Sequence, residues 1–135
     1  MKQNSEKLYC ILLAEDDLDD QKIASDAFAK AIPNAQLFIV NSGVEALEYL
    51  HNSASHPDVF ITDIMMPQLT GLEVLTQVKK QPEFRELPVV ILSTSRESGD
   101  IAKSLALGAA LYISKPLIFR DWVSAMQQIG LLLPA

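Results

Sequence analysis

Cysteine is almost missing from this chain of 135 residues, with Cys10 the single example. One thiol closes no internal disulfide and builds no cysteine metal cluster, so it reads as a small buried hydrophobe and points to a reducing, cytoplasmic setting. Basic side chains are also in short supply, 11 against 17 acidic, for a net charge of −6. That balance argues against direct binding of nucleic acid through its phosphates. No apolar run approaches the ~20 residues of a membrane span, and Met1 to Lys7 is polar, without the core of a signal peptide. No membrane partner is expected. His51 and His56 have no metal-ligand spacing, and Lys79-Lys80 is too short a run to mean more than a solvated face.

What the chain does have is apolar residues in short blocks. They make up 49% of the sequence against 21% charged, a balance that buries a core and fills one globular domain. We place that domain at residues 8–131, with tails at 1–7 and 132–135. Strand-length apolar runs at Tyr9–Ala14, Leu37–Val40, Val59–Ile61, Val89–Leu92 and Leu111–Ile113 alternate with helical patterns. The helices are expected at about 19–31, from Val44 to Leu50, at 70–81 with Leu72, Leu75 and Val78 inward, at 100–107 and at 118–132. Residues 51–58 read as loop, and Gly108 as a helix stop. Five strand–helix pairs in strict alternation predict an α/β fold, a doubly wound five-stranded parallel sheet with helices on both faces. Right-handed crossovers leave few topologies.

The central stretch is Val59-Phe60-Ile61-Thr62-Asp63, a strand buried on both faces that ends on one carboxylate before breaking at Pro67. The first strand ends on Glu15-Asp16, the fourth on Ser93, the fifth on Lys115. Parallel strands bring these ends to one edge, and in the order 2-1-3-4-5 strands one and three meet at the switch point where such sheets bind ligands. Three converging carboxylates need a counter-charge. Mg²⁺, a hard oxygen-seeking cation that also accepts a phosphate oxygen, suits Glu15, Asp16 and Asp63. The Ser93 hydroxyl and the Lys115 ammonium then supply donors for a phosphoryl group. Asp17 and Asp19 read as plain helix-start residues.

Taken together, Glu15-Asp16, Asp63 with Met66-Pro67 and Gly71, Ser93-Thr94, Gly108-Ala109, Tyr112 and Lys115-Pro116 resemble the receiver domain of two-component response regulators. Glu15-Asp16-Asp17-Leu18-Asp19-Asp20 with Leu92-Ser93-Thr94-Ser95 is similar to stand-alone receivers of the phytochrome-partner kind. The resemblance implies a flavodoxin-like fold and Mg²⁺-dependent transfer of a phosphoryl group to Asp63 from a histidine kinase or a histidine phosphotransfer protein. It implies that Asp16, Asp63 and the backbone carbonyl of Met65 hold the metal, with Glu15 helping through water. It further implies that Lys115 pairs with Asp63 and then with the phosphoryl group, and that Ser93 and Tyr112 are the switch pair. Thr94 is bulkier than the alanine common beside the switch hydroxyl, which bears on how Tyr112 turns inward. The Lys115–Pro116 peptide is expected to be cis. The domain would catalyse only its own phosphorylation and dephosphorylation, and the downstream protein target is not written in the sequence.

Rival classes fit less well. A phosphatase of the haloacid dehalogenase type needs a second acid two residues after its nucleophile, where this chain has Met65; a flavodoxin needs a phosphate loop where this chain has Glu15-Asp16-Asp17. A degenerate receiver that only binds proteins is the alternative, disfavoured because every key position is filled. Met65 and Ser95, neither able to orient a water, suggest a phosphoryl lifetime of minutes or longer. In the last helix Phe119, Val123, Met126 and Gly130 form a stripe to cover the sheet, with a second apolar stripe of Ile118, Trp122, Ala125, Ile129 and Leu132 beside it. Either a broad face is buried with Leu131 to Leu133 folded back, or a homodimer forms through the last-helix face with Trp122 or a neighbour as anchor.

Overall fold

A computed structural model describes residues 8–52 and 56–134. The strands are β1 (Tyr9–Ala14), β2 (Ala35–Val40), β3 (Val59–Thr62), β4 (Val89–Ser93) and β5 (Leu111–Ser114). The helices between and after them are α1 (Leu18–Ala31), α2 (Gly43–Asn52), α3 (Gly71–Lys80), α4 (Ser98–Ala106) and α5 (Phe119–Gly130). All strand pairs are parallel, in the order β2-β1-β3-β4-β5. Ala14 lies beside Val40 on one side and Thr62 on the other, so β1 and β3 end level with each other. The doubly wound sheet and its order are as the alternation and the resemblance led us to expect.

Alternation along the strands divides the core in two. Leu12, Ala14, Phe60 and Ile91 face one layer, with Ala46 and Leu50 of α2 and Val74, Leu75 and Val78 of α3. Ile11, Leu13, Ile61, Val90 and Leu92 face the other, with Phe28 of α1 and Trp122, Met126 and Ile129 of α5. Burial on both faces explains the unbroken apolar runs in β1, β3 and β4. Each fully buried side chain of this size adds about 1.5–3 kcal/mol.

Helix ends follow local chemistry. The Asp17 carboxylate caps α1 by accepting from the Asp20 N–H. Thr70 and Glu73 form a reciprocal capping box that starts α3. Gly108, at φ 109°, takes the left-handed turn after α4 that a side chain would strain. A short 3₁₀ turn at Pro82–Phe84 was not expected; it closes the link to β4, where the Lys79 ammonium donates to the carbonyls of Arg85 and Leu87.

Several expectations need correction. In α3, Val74 rather than Leu72 completes the fully buried face, and Leu72 is half-buried. His51 and Asn52 belong to α2 rather than to a loop, and the rest of that loop to residue 55 lies outside the described residues. No cis peptide occurs among the described residues, so the Lys115–Pro116 bond is trans. Trans is the lower-energy isomer before proline by about 0.5–1 kcal/mol, and this loop accommodates it.

On α5 both stripes contribute to one broad buried face, as one of the two expectations had it. Trp122, Ala125 and Ile129 are buried with Met126, whereas Phe119 is 41% exposed. Trp122 is 2% exposed, so it anchors the domain's own core and is not available to a second copy. Leu132 and Leu133 pack against the same layer while Leu131 stays in solvent. The Tyr9 hydroxyl donates to the Pro134 carbonyl at 2.6 Å, which fastens this return of the chain.

Candidate functional site

Asp63 follows β3 directly, at the carboxyl edge of the sheet. Its Oδ1 accepts from the Ile64 N–H at 2.7 Å and more weakly from the Met65 N–H at 3.4 Å. Its Oδ2 accepts from Lys115 Nζ at 2.8 Å. The side chain is therefore oriented from both sides before any ligand arrives. Gly71 lies against the same turn, where its N–H donates to the Ile64 carbonyl and an added Cβ would collide with the Asp63 carbonyl oxygen. The glycine is there for close approach of main chain to main chain.

Lys115, just past β5, reaches back over this edge. Its ammonium donates to Glu15 Oε1 at 2.7 Å, Asp20 Oδ2 at 2.7 Å and Asp63 Oδ2 at 2.8 Å. An ammonium has three N–H donors, and all three are engaged. Burial alone would lower the Lys115 pKa, but the hydrogen bonds to Asp20, Asp63 and Glu15 outweigh it and hold the ammonium above its usual range. Glu15 is moved upward, first by burial and also by the Asp63 charge. Its bonds from Lys115 and from the Asp17 N–H at 3.0 Å only partly offset that rise.

Ligand oxygens of Glu15, Asp16 and Asp63 all lie within 4.8 Å of one another. Glu15 and Asp63 are buried and Asp16 faces solvent. With Asp20 the edge carries four carboxylates against one ammonium, so negative charge is in excess. An all-oxygen set with one open side fits a hard divalent cation, which would offset that excess.

Ser93 ends β4 as a buried hydroxyl, its carbonyl accepting the Lys115 N–H at 2.7 Å, while Thr94 is exposed. Tyr112 is half-buried on β5 and donates its hydroxyl to the Ser95 carbonyl at 2.8 Å. Ser95 in turn donates its Oγ to Asp100 at the start of α4. The β4–α4 loop is thus tied to β5 through Tyr112 and to α4 through Ser95.

The structure gathers the expected acids and lysine and adds Asp20, which the sequence reading missed. Asp20 is the third residue of α1 and reads in sequence as an ordinary acid at a helix start. The available signal was directional: helical side chains lean toward the N-terminus, which points Asp20 back over the end of β1.

A profile of the response regulator receiver domain matches residues 11–127 of the chain. The protein belongs to the response regulator receiver family. Response regulator Rcp1 of Synechocystis is 27% identical over 134 residues, spanning 96% of this receiver and 91% of Rcp1. The crystal structure of the phosphorylated cyanobacterial phytochrome response regulator RcpA superposes with a TM-score of 0.86 at 30% identity, covering 96% of this receiver and all of that chain. The Mn²⁺-bound form of Rcp1 gives a TM-score of 0.83 at 28% identity, covering 94% and 99% of the two chains. This receiver is thus a signalling domain similar to phytochrome response regulators. Response regulator receivers work with histidine kinases or phosphotransfer proteins. No helix among its described residues is long and apolar enough to cross a membrane.

Proposed function

We propose that this receiver accepts a phosphoryl group on Asp63 from a histidine kinase or a histidine phosphotransfer protein, in a Mg²⁺-dependent reaction, and that the modification switches binding to a downstream protein. The observation that supports it best is the Asp63 carboxylate held between two backbone N–H groups and the Lys115 ammonium, beside Glu15 and Asp16. A carboxylate oxygen of Asp63 attacks phosphorus, the O–P bond forms, and the P–N bond of the donor phosphohistidine breaks with its electron pair going to the imidazole. A phosphohistidine is already reactive, so positioning and charge neutralisation supply most of what is needed. Lys115 neutralises oxygens on the transferring group.

Asp16 and Asp63, with the Met65 backbone carbonyl and with Glu15 through water, would hold Mg²⁺. When bound, the ion supplies charge neutralisation for phosphoryl oxygens. Ser93 then turns its hydroxyl to the new dianion, and Tyr112 moves inward past Thr94. That movement costs the hydrogen bond from Tyr112 to Ser95 and reshapes the face of α4, β5 and α5. Incubating the protein with acetyl phosphate and Mg²⁺ tests the reading by intact mass. One phosphoryl group is expected on the wild type and none on Asp63→Asn; mass gain in the variant would move the acceptor elsewhere.

A further inference from the structure

Asp20 has no part in the phosphoryl chemistry set out above, yet it takes one of the three hydrogen bonds of Lys115. We propose that Asp20 is a displaceable anchor for Lys115, a positioning residue that holds the ammonium in the resting domain and opposes the phosphorylated one. The inference rests on the reading of Asp63 as phosphoacceptor.

With Glu15, Asp20 and Asp63 all in place, Lys115 has no N–H left for an additional phosphoryl oxygen. The N–H on Asp63 passes to the phosphoryl group when Asp63 is modified, and for Lys115 to hold a second phosphoryl oxygen either Glu15 or Asp20 has to let go. The Glu15 and Asp63 side chains are 3% and 8% exposed, while Asp20 is 30% exposed. Releasing Asp20 to water costs least, because a buried carboxylate stripped of its cation stays desolvated. Asp20 also belongs to α1 rather than to a strand end, so its side chain can swing away with β1 and β3 unmoved. Phosphorylation replaces a singly charged carboxylate by an acyl phosphate that carries about two negative charges. Asp20, already within reach of the same ammonium, repels that added charge. Its grip therefore favours the unmodified state twice, by occupying the donor and by its own charge.

The test is beryllofluoride binding in the presence of Mg²⁺, followed by titration of the single tryptophan's fluorescence or by calorimetry. Asp20→Asn keeps the shape and removes the charge, and Asp20→Ala removes both. Each is expected to bind beryllofluoride about fivefold more tightly than wild type, the size of one partly buried charge contact at close range. Asp19→Asn, which loses the same charge from an exposed neighbouring position, is expected to match wild type, and Asp20→Glu to restore most of the wild-type value. A merely structural role for Asp20 would weaken binding on substitution. Unchanged or weaker binding in both Asp20 variants overturns the proposal, as does equal tightening in Asp19→Asn. Failure of the wild type to bind beryllofluoride at all overturns the phosphoacceptor reading first and this inference with it.

Discussion

Lys115 Nζ stands 2.7 Å from Glu15 Oε1, joining the end of the fifth strand to the end of the first across the intervening third and fourth. The contact makes the site a property of the sheet rather than of any one loop, and it sets the behaviour of the buried charges.

Replacing Lys115 by Met fills similar space and leaves Glu15 and Asp63 buried without their cation. Removing one partner of a buried ion pair typically costs about 3–5 kcal/mol. Urea denaturation is expected to show a loss of that order, and added Mg²⁺ to recover more stability in the variant than in wild type. Wild-type stability in Lys115→Met would mean that the carboxylates are better hydrated than their burial implies.

Metal affinity should divide the three acids. Asp16→Ala removes a direct ligand, whereas Glu15→Gln alters one acting through water, where losses of about tenfold or somewhat more are usual. Calorimetry with Mg²⁺ is expected to rank wild type above Glu15→Gln and Glu15→Gln above Asp16→Ala. An unchanged constant in Asp16→Ala would place the ion elsewhere.

Gly71→Ala tests whether the turn after β3 is sterically set. Its new methyl group would meet the Asp63 carbonyl oxygen, so the main chain has to shift. Overpacking of this kind costs about 1–3 kcal/mol. Because the shift moves Asp63 itself, the rate of phosphoryl uptake from acetyl phosphate should fall proportionally more than thermal stability. Equal activity and a lower Tm would show that the loop yields without disturbing the carboxylate.

Cys10 gives a pH-dependent prediction away from the site. Burial pushes its thiol pKa up, and the nearby Asp58 charge adds to this, while the contact with the Tyr49 hydroxyl at 3.8 Å only partly compensates. Alkylation needs the thiolate, so a raised pKa lowers the reactive fraction at any pH below it. Iodoacetamide should therefore react more slowly with the native protein than with the urea-unfolded chain at pH 8, and the half-maximal rate should fall at a higher pH. A native profile matching that of the unfolded chain would refute the shift.

Much of this was legible because the signals are periodic or lie at strand ends. β3 announces itself by four apolar or β-branched residues followed by an acid, and the parallel order then places Glu15, Asp63 and Lys115 on one edge without further information. On α5 the broad buried face was legible, but not which large residue at its start would be covered. Phe119 and Trp122 are both large and apolar, and which one faces the sheet depends on the rotation of the helix, fixed by packing against Phe28 and Ile32 in the same layer. Asp20 was missed because its role is made by a residue far along the chain, Lys115, and local pattern carries no trace of that partner. The cis isomer expected before Pro116 came from a family habit that the local sequence does not enforce, and the bond is trans.

The Tyr112 hydroxyl is bound to the carbonyl of Ser95 and not to its side chain. Every amino acid offers that carbonyl, so a change at position 95 reaches Tyr112 only through the Ser95–Asp100 bond that holds the segment. What the tyrosine senses is the path of the β4–α4 segment. Substitutions that keep the path are silent to it, and those that bend the segment from a distance, at Asp100 for instance, register as strongly as a change at the contact.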